Sequence, residues 1–291
     1  MAMLVGSLSL AQEVWPLYAG IGPYGLDVPD TESSAAATTG NRRTYVTQVT
    51  RPTITVFLPK SNAKLRTAVL ICPGGGYSRL SIEDGGYEAA KDLAEQGIVG
   101  IVLKYRTQRE GAYTNYQQVP LTDLQTAMQL VYTKASTWNI DTTRIGILGF
   151  SAGGHLTALA VSRATQHKPA FTILAYPVIS FQDSLTSPTS NSRANLLGKQ
   201  ISESDKRAYS PELHVNAQTP PSFLLHAKDD QTSWVGNSIV YHRKLQEHQV
   251  PTELLLFERG GHGFAMYNKM ENIHWLPKAL DWMKKQGFYK P

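Results

Sequence analysis

A chain of 291 residues with 42% hydrophobic and 18% charged side chains can bury one large core and needs no second domain to do so. Its formal net charge of +5 is modest, with Lys and Arg scattered except at Lys284-Lys285, which argues against a nucleic-acid partner and its clustered basic face. The lack of an apolar run of about eighteen residues excludes a membrane span, and the single Cys72 excludes an internal disulfide.

Met1 to Leu10 is apolar and small, and Ser9-Leu10-Ala11 has the small-x-small form of a signal-peptidase site, without the usual positive charge before it. The expectation is a shortened export signal over 1–11, a single domain over 12–291, and a periplasmic or secreted protein. Ala35 to Asn41 reads as a polar loop and Thr53 to Leu58 as an early antiparallel strand. Thr67 to Ile71 is a buried strand, Gly86 to Gln96 a helix, Ile98 to Leu103 a strand, and Leu121 to Trp138 an amphipathic helix. Arg144 to Leu148 reads as a strand buried on both faces, and His155 to Val161 continues with helical spacing. Ala170 to Ala175, Ser222 to His226 and Thr252 to Phe257 complete the strands, with a helix starting near Ser233. Alternation of this kind implies an α/β class, with a mostly parallel central sheet and helices on both faces. The segment 180–219, rich in Ser, Asn, Thr and Pro, breaks the pattern. It reads either as a lid or rim over a site or as a passive surface excursion.

The strand at Arg144 runs straight into Gly149-Phe150-Ser151-Ala152-Gly153, a Gly-x-Ser-x-Gly pentapeptide placed where a strand turns abruptly into a helix. A serine on so tight a turn adopts strained backbone angles, and only side-chain-free neighbours let the two arms pack closely. Its hydroxyl is pushed out above the sheet as a nucleophile. The amide of Ala152, at the helix N-terminus, stays unpaired and can donate to an oxyanion. Cys72-Pro73-Gly74-Gly75-Gly76-Tyr77 forms the loop at the end of an earlier strand, and the bare amides of Gly75 and Gly76 complete the same hole. A phosphate-binding loop is disfavoured, because Tyr77-Ser78 stands where the Walker pattern requires Lys-Ser/Thr. No Cys/His cluster has metal-ligand spacing and no cofactor motif occurs, so neither metal nor cofactor is expected.

A base and a carboxylate have candidates downstream, in the order nucleophile, acid, histidine. Asp229 and Asp230 follow the strand ending at His226, and His262 lies in Gly260-Gly261-His262-Gly263 after another strand. Open α/β sheets place their ligands at such carboxyl ends. Of eight histidines, His155 falls one turn past Ser151 and is expected to pack beneath the turn. His167, His242, His248 and His274 sit in helical or surface segments, His214 in the insert and His226 on a strand, which leaves His262. Two adjacent aspartates cannot easily both face one imidazole, and the other is expected to be a solvated loop residue or a helix cap. Tyr77, beside the glycines, and Trp234, just past the acid, are candidates to stack on a sugar. Cys72 reads as a small buried packing residue.

Together these segments resemble the α/β-hydrolases and, within them, the hormone-sensitive-lipase-like carbohydrate esterases, which include bacterial acetylxylan and feruloyl esterases. Trp15-Pro16 with Gly22-Pro23, Leu103-Lys104-Tyr105-Arg106, Ser210-Pro211-Glu212-Leu213 and the continuation to Phe264 extend the likeness over nearly the whole chain. The family acid stands four residues after a histidine, which matches His226 and Asp230 and selects Asp230 over Asp229. Two features depart from relatives. Pro73 replaces the histidine of the lipase-type His-Gly-Gly-Gly loop, as in the sugar-esterase branch, and Ser233-Trp234 replaces the Val-Pro that usually follows the acid.

The resemblance implies an α/β-hydrolase fold and a serine esterase with Ser151, His262 and Asp230 as triad and Gly75, Gly76 and Ala152 as oxyanion hole. The implied substrate is an acylated carbohydrate of plant type. Acetyl is the expected acyl group, with a feruloyl or general short-chain ester as the alternative. The reading of another class is a non-catalytic ligand-binding protein on the same fold, which would be expected to have lost Ser151, Asp230 or His262.

Overall fold

The computed structural model describes residues 12–36, 44–60, 65–163 and 166–290. The expected export signal over 1–11 and residues 37–41 of the expected loop lie outside them. The strands, in chain order, are β1 (Gln12–Pro16), β2 (Ser33–Ala36), β3 (Thr44–Thr47), β4 (Thr53–Phe57), β5 (Arg66–Cys72), β6 (Arg79–Ser81), β7 (Val99–Lys104), β8 (Ile140–Phe150), β9 (Phe171–Ala175), β10 (Ser222–Ala227) and β11 (Thr252–Phe257), followed by a short hairpin of β12 (Tyr267–Asn268) and β13 (Ile273–His274). The helices are α1 (Glu88–Glu95), α2 (Val119–Thr133), α3 (Ala152–Arg163), α4 (Ser192–Leu197), α5 (Glu203–Ala208), α6 (Gly236–Glu247) and α7 (Leu276–Lys285).

Eight strands make one sheet in the order β1-β4-β7-β5-β8-β9-β10-β11. β4 pairs antiparallel with both β1 and β7, and the other pairs are parallel. Along β9 and β10 the parity of a residue decides which face it covers. Phe171 and Phe223 meet Trp282 of α7 on one face. Leu174 and Leu224 join Tyr241 and Leu245 of α6 in a second cluster on the other. Helices on both faces are the reason these strands read as unbroken apolar runs.

The chain leaves β5 through α1 for β7 on one side, then returns through α2 to β8 on the other. Its winding therefore reverses between β5 and β8, whose ends pair Cys72 with Gly149. A crevice opens beyond the carboxyl ends of strands at such a reversal. There β8 turns into α3 through Ser151, held at φ 52°. Close packing makes its neighbours glycine: a Cβ on Gly149 would lie 2.5 Å from Gly153 O and Thr157 Oγ1, and one on Gly153 would run into the Cys72 carbonyl oxygen.

Several boundaries differ from expectation. α2 stops at Thr133 rather than Trp138, because the chain continues in turns and Asn139, at φ 52°, redirects it into β8. The helix after the aspartates begins at Gly236 rather than near Ser233, since the amides of Thr232 and Ser233 both donate to Asp230 Oδ1. A π-helical turn over Glu83–Tyr87 precedes α1. Ala35 and Ala36 end a strand rather than begin a loop, and β2, β3 and β6 form a second, three-stranded antiparallel sheet.

The segment 180–219 carries α4 and α5, and a buried histidine fastens it to α3. His155 accepts the Tyr77 hydroxyl on Nδ1 at 2.6 Å, donates from Nε2 to the Tyr209 carbonyl at 2.8 Å and stacks on Phe181. A carbonyl only accepts, so the ring is the neutral Nε2–H tautomer, packed beneath the turn as the sequence suggests. Burial is the main cause that pushes its pKa down, to about 4. Below about 6.5, the ordinary histidine value, the unfolded chain binds a proton that the folded chain refuses, so stability falls as pH drops from there toward 4. Urea unfolding at about pH 7 and about pH 4.5 is expected to differ by up to about 3 kcal/mol from this group. His155→Gln should flatten that part of the profile, and an unaltered slope would refute the assignment.

Candidate active site

Three loops meet at the crevice. The backbone of Ser151 is fixed by its amide donating to the Ala175 carbonyl and by the Val178 amide donating to its own carbonyl. His262, in the loop after β11, places Nε2 2.8 Å from the Ser151 hydroxyl. Asp230, in the loop after β10, places Oδ2 2.7 Å from His262 Nδ1. A carboxylate only accepts, so Nδ1 carries the proton and Nε2 presents its lone pair to the serine hydroxyl. The three residues singled out in the sequence form one continuous hydrogen-bonded line.

Asp230 is 2% exposed and its oxygens are fully engaged. Oδ2 also receives His226 Nε2 at 3.2 Å, and Oδ1 receives the amides of Thr232 and Ser233 at 2.8 and 2.9 Å. Burial, the largest single influence, would raise its pKa. The bonds from His226 and His262, the charge of His262 and the Ser233 amide outweigh burial and hold the carboxyl at about 2. His226 is itself fixed by Ser238 Oγ and the Ser233 carbonyl. The His-x-x-x-Asp spacing is thus a positioned pair.

Asp229 is neither a solvated loop residue nor a helix cap. Its Oδ1 accepts from the amides of Gly260 and Gly261 at 2.9 and 2.8 Å, gripping the backbone just ahead of His262. Adjacent carboxylates therefore hold one loop, the first by its main chain and the second by its imidazole. Tyr176 closes the other side. Its ring lies edge-on 5.1 Å from the His262 ring, and its hydroxyl accepts from the Ala265 amide.

A cavity of about 420 Å³ opens over Ser151 and His262, with Gly74, Gly75 and Gly76 in its wall. The Gly74 carbonyl accepts from the Ser81 amide and the Gly75 carbonyl from the Arg79 amide. In a trans peptide the following N–H points the opposite way, so the amides of Gly75 and Gly76 turn away from those partners. Among the described residues nothing accepts from these two amides or from that of Ala152, the first residue of α3. Asn195 of α4 steadies the loop by donating to the Gly76 carbonyl at 2.8 Å. The insert also supplies a wall: Thr189, Ser190, Asn191 and Ser192 line the cavity. The hydroxyls of Ser187 and Thr189 donate to the Gln231 carbonyl beside the acid.

Two expectations fail. Tyr77 is fully buried with its hydroxyl committed to His155, so it cannot stack on a substrate. Trp234 is half-buried and lies outside the residues that line the cavity, because the turn anchored on Asp230 ends with Ser233 bonded inward to the Pro177 carbonyl. The sequence reading also missed Tyr45, Arg79 and Ser81, which line the cavity from the small sheet. Tyr45-Val46-Thr47 and Arg79-Leu80-Ser81 do alternate, but runs of three residues are too short to mark a strand. Cys72 is buried, and burial pushes its thiol up to about 12, which suits packing rather than chemistry. Among the described residues no three His, Cys, Asp or Glu side chains form a group that could hold a metal ion, and no helix is long and apolar enough to cross a membrane.

The chain has relatives among known proteins. Residues 54–245 match the family model described as BD-FAE. The chain is 34% identical over 214 residues to the acetylxylan esterase of Xylanibacter ruminicola, and 30% identical over 229 residues to endo-1,4-beta-xylanase B of Butyrivibrio fibrisolvens. These alignments take in 72% and 75% of this chain but 43% and 35% of those proteins, so the chain spans less than half the length of either. In three dimensions it is similar to the acetyl ester-xyloside bifunctional hydrolase of Caldicellulosiruptor lactoaceticus, with a TM-score of 0.76, 28% identity, and coverage of 98% of this chain and 100% of that one. With the matched segment running from β4 into α6 and including both the serine turn and the acid loop, the chain belongs to the BD-FAE family of carboxylic ester hydrolases, in the α/β-hydrolase superfamily.

Proposed function

We propose that this chain is a serine esterase that removes short acyl groups, acetyl above all, from plant-type oligosaccharides or polysaccharides. The observation that carries the reading is the unbroken line from Ser151 through His262 to Asp230, with bonds of 2.8 and 2.7 Å, at the floor of a cavity. His262 Nε2 takes the seryl proton as Oγ attacks the ester carbonyl, and Asp230 stabilises the imidazolium that forms. The amides of Gly75, Gly76 and Ala152 receive the oxyanion. As the bond between the acyl carbon and the sugar oxygen breaks, His262 gives its proton to that oxygen, so the sugar leaves as a free hydroxyl with the acyl group on Ser151, and water activated by the same imidazole releases the acid. A carboxyl held at about 2 keeps its charge throughout the range in which such a base works.

The sugar part of the reading is supported by the hydroxyl- and amide-bearing lining at Ser78, Ser81, Ser190 and Asn191. It is supported also by the names of relatives, an acetylxylan esterase and an acetyl ester-xyloside hydrolase. Acetylated xylan and a feruloylated oligosaccharide offered side by side should yield acetate at the higher kcat/KM; faster feruloyl release would reverse the acyl assignment. On 4-nitrophenyl acetate, Ser151→Ala should lower kcat by at least about a thousandfold, whereas an intact chain with no turnover would favour the non-catalytic reading.

The two aspartates separate by role. Asp230→Asn is expected to cost roughly a thousandfold or more in kcat, since the imidazole loses its orienting charge. Asp229→Asn keeps an oxygen for the Gly260 and Gly261 amides and should cost less than about tenfold. Equal losses in steady-state assays would count against this division.

A further inference from the structure

The small sheet supplies a reading of substrate class, and it rests on the esterase reading above. β3 and β6 pair with Tyr45 opposite Ser81, Val46 opposite Leu80 and Thr47 opposite Arg79. Alternation puts Val46 and Leu80 on the core side, 5% and 0% exposed. Tyr45, Arg79 and Ser81 face the other way, and all three line the cavity that holds Ser151 and His262. Tyr45 and Arg79 are diagonal neighbours across this ladder, within reach of long side chains. The guanidinium carbon sits 4.3 Å from the Tyr45 ring centroid. The stem of Arg79 crosses the glycine loop, for a Cβ on Gly75 would lie 3.1 Å from Arg79 Cγ. Arg79 therefore starts beside the glycine loop and carries its cation to Tyr45, in the wall of the cavity that holds Ser151 and His262.

Arg106, Arg144 and Arg193 each have an aspartate partner. Arg79 forms no ion pair with any carboxylate among the described residues. Asp84 shares the cavity wall, but it also lines a second cavity of about 320 Å³ beside His262 in which Arg79 takes no part. The stack on Tyr45 uses one face of the guanidinium and leaves its in-plane donors available, in a fork that matches a carboxylate. A cation already held against a ring loses less freedom when a ligand arrives.

We infer that Arg79 is a specificity residue that receives a sugar carboxylate, so that the preferred substrates are acylated oligosaccharides carrying a uronic acid near the acylated unit. The test measures kcat/KM on acetylated xylo-oligosaccharides with and without a uronic acid, for the intact chain, Arg79→Gln and Arg79→Lys. The intact chain should favour the uronate-bearing ester by roughly tenfold, as one charge-assisted contact supplies, mainly through KM and less at high salt. Arg79→Gln should bring the ratio to about one, with Arg79→Lys between. A ratio near one in the intact chain, or one that survives Arg79→Gln, overturns the inference. So does an Arg79-dependent preference for 4-nitrophenyl hemisuccinate over 4-nitrophenyl acetate without one for the uronate, which would put the carboxylate on the acyl side. Calorimetric titration of the Ser151→Ala chain with the uronate-bearing oligosaccharide keeps the two readings apart. Arg79-dependent binding by a chain whose parent hydrolyses no ester supports the anion site and removes the esterase; hydrolysis with no such binding does the reverse.

Discussion

The carboxylate of Asp230 is the point from which the site is suspended. Four N–H groups end on its two oxygens, from His262, His226, Thr232 and Ser233. An ionised carboxylate out of water is costly, and it is tolerated only where its lone pairs are met together. Meeting them together demands that the loop after β10 fold back on its own side chain, that His226 face it from the strand end, and that the loop after β11 carry His262 across. The aim of the imidazole at Ser151 follows from satisfying one buried charge.

A second constraint is steric. The winding reversal between β5 and β8 brings the glycine loop and the serine turn side by side, and the main chain of Cys72 then sits where a side chain on Gly153 would have to go. The nucleophile turn is therefore not an ornament on a finished sheet; the sheet's two central strands close only if that turn is bare. Beneath it, the His155 ring spends its two nitrogens on the Tyr77 hydroxyl and on the Tyr209 carbonyl of the insert, which ties the floor of the site to that insert.

What was legible in the sequence was local. The serine turn, the glycine loop and His262 are steric demands of single turns, and single turns are written in neighbouring residues. The grip of Asp229 was not legible, because its partners are main-chain amides some thirty residues away that carry no side-chain signature. Tyr77 was misread because adjacency to exposed glycines says nothing about side-chain direction; its backbone turns left-handed at φ 65° and its ring goes under the site rather than into it. The strands β2, β3 and β6 are three or four residues each, too short for a period to stand out, and with them the whole wall bearing Tyr45 and Arg79 escaped notice.

Asn195 ties the insert to the carbonyl of Gly76. Loops at the rim of such folds are the parts that lineages reshape when they move to new substrates. Here reshaping has a hidden linkage: any change that shifts α4 also slackens the loop proposed to neutralise the reacting oxygen. Diversification of this scaffold should therefore proceed by swapping side chains along a stationary α4, while wholesale replacement of the insert would sacrifice turnover before it widened the diet.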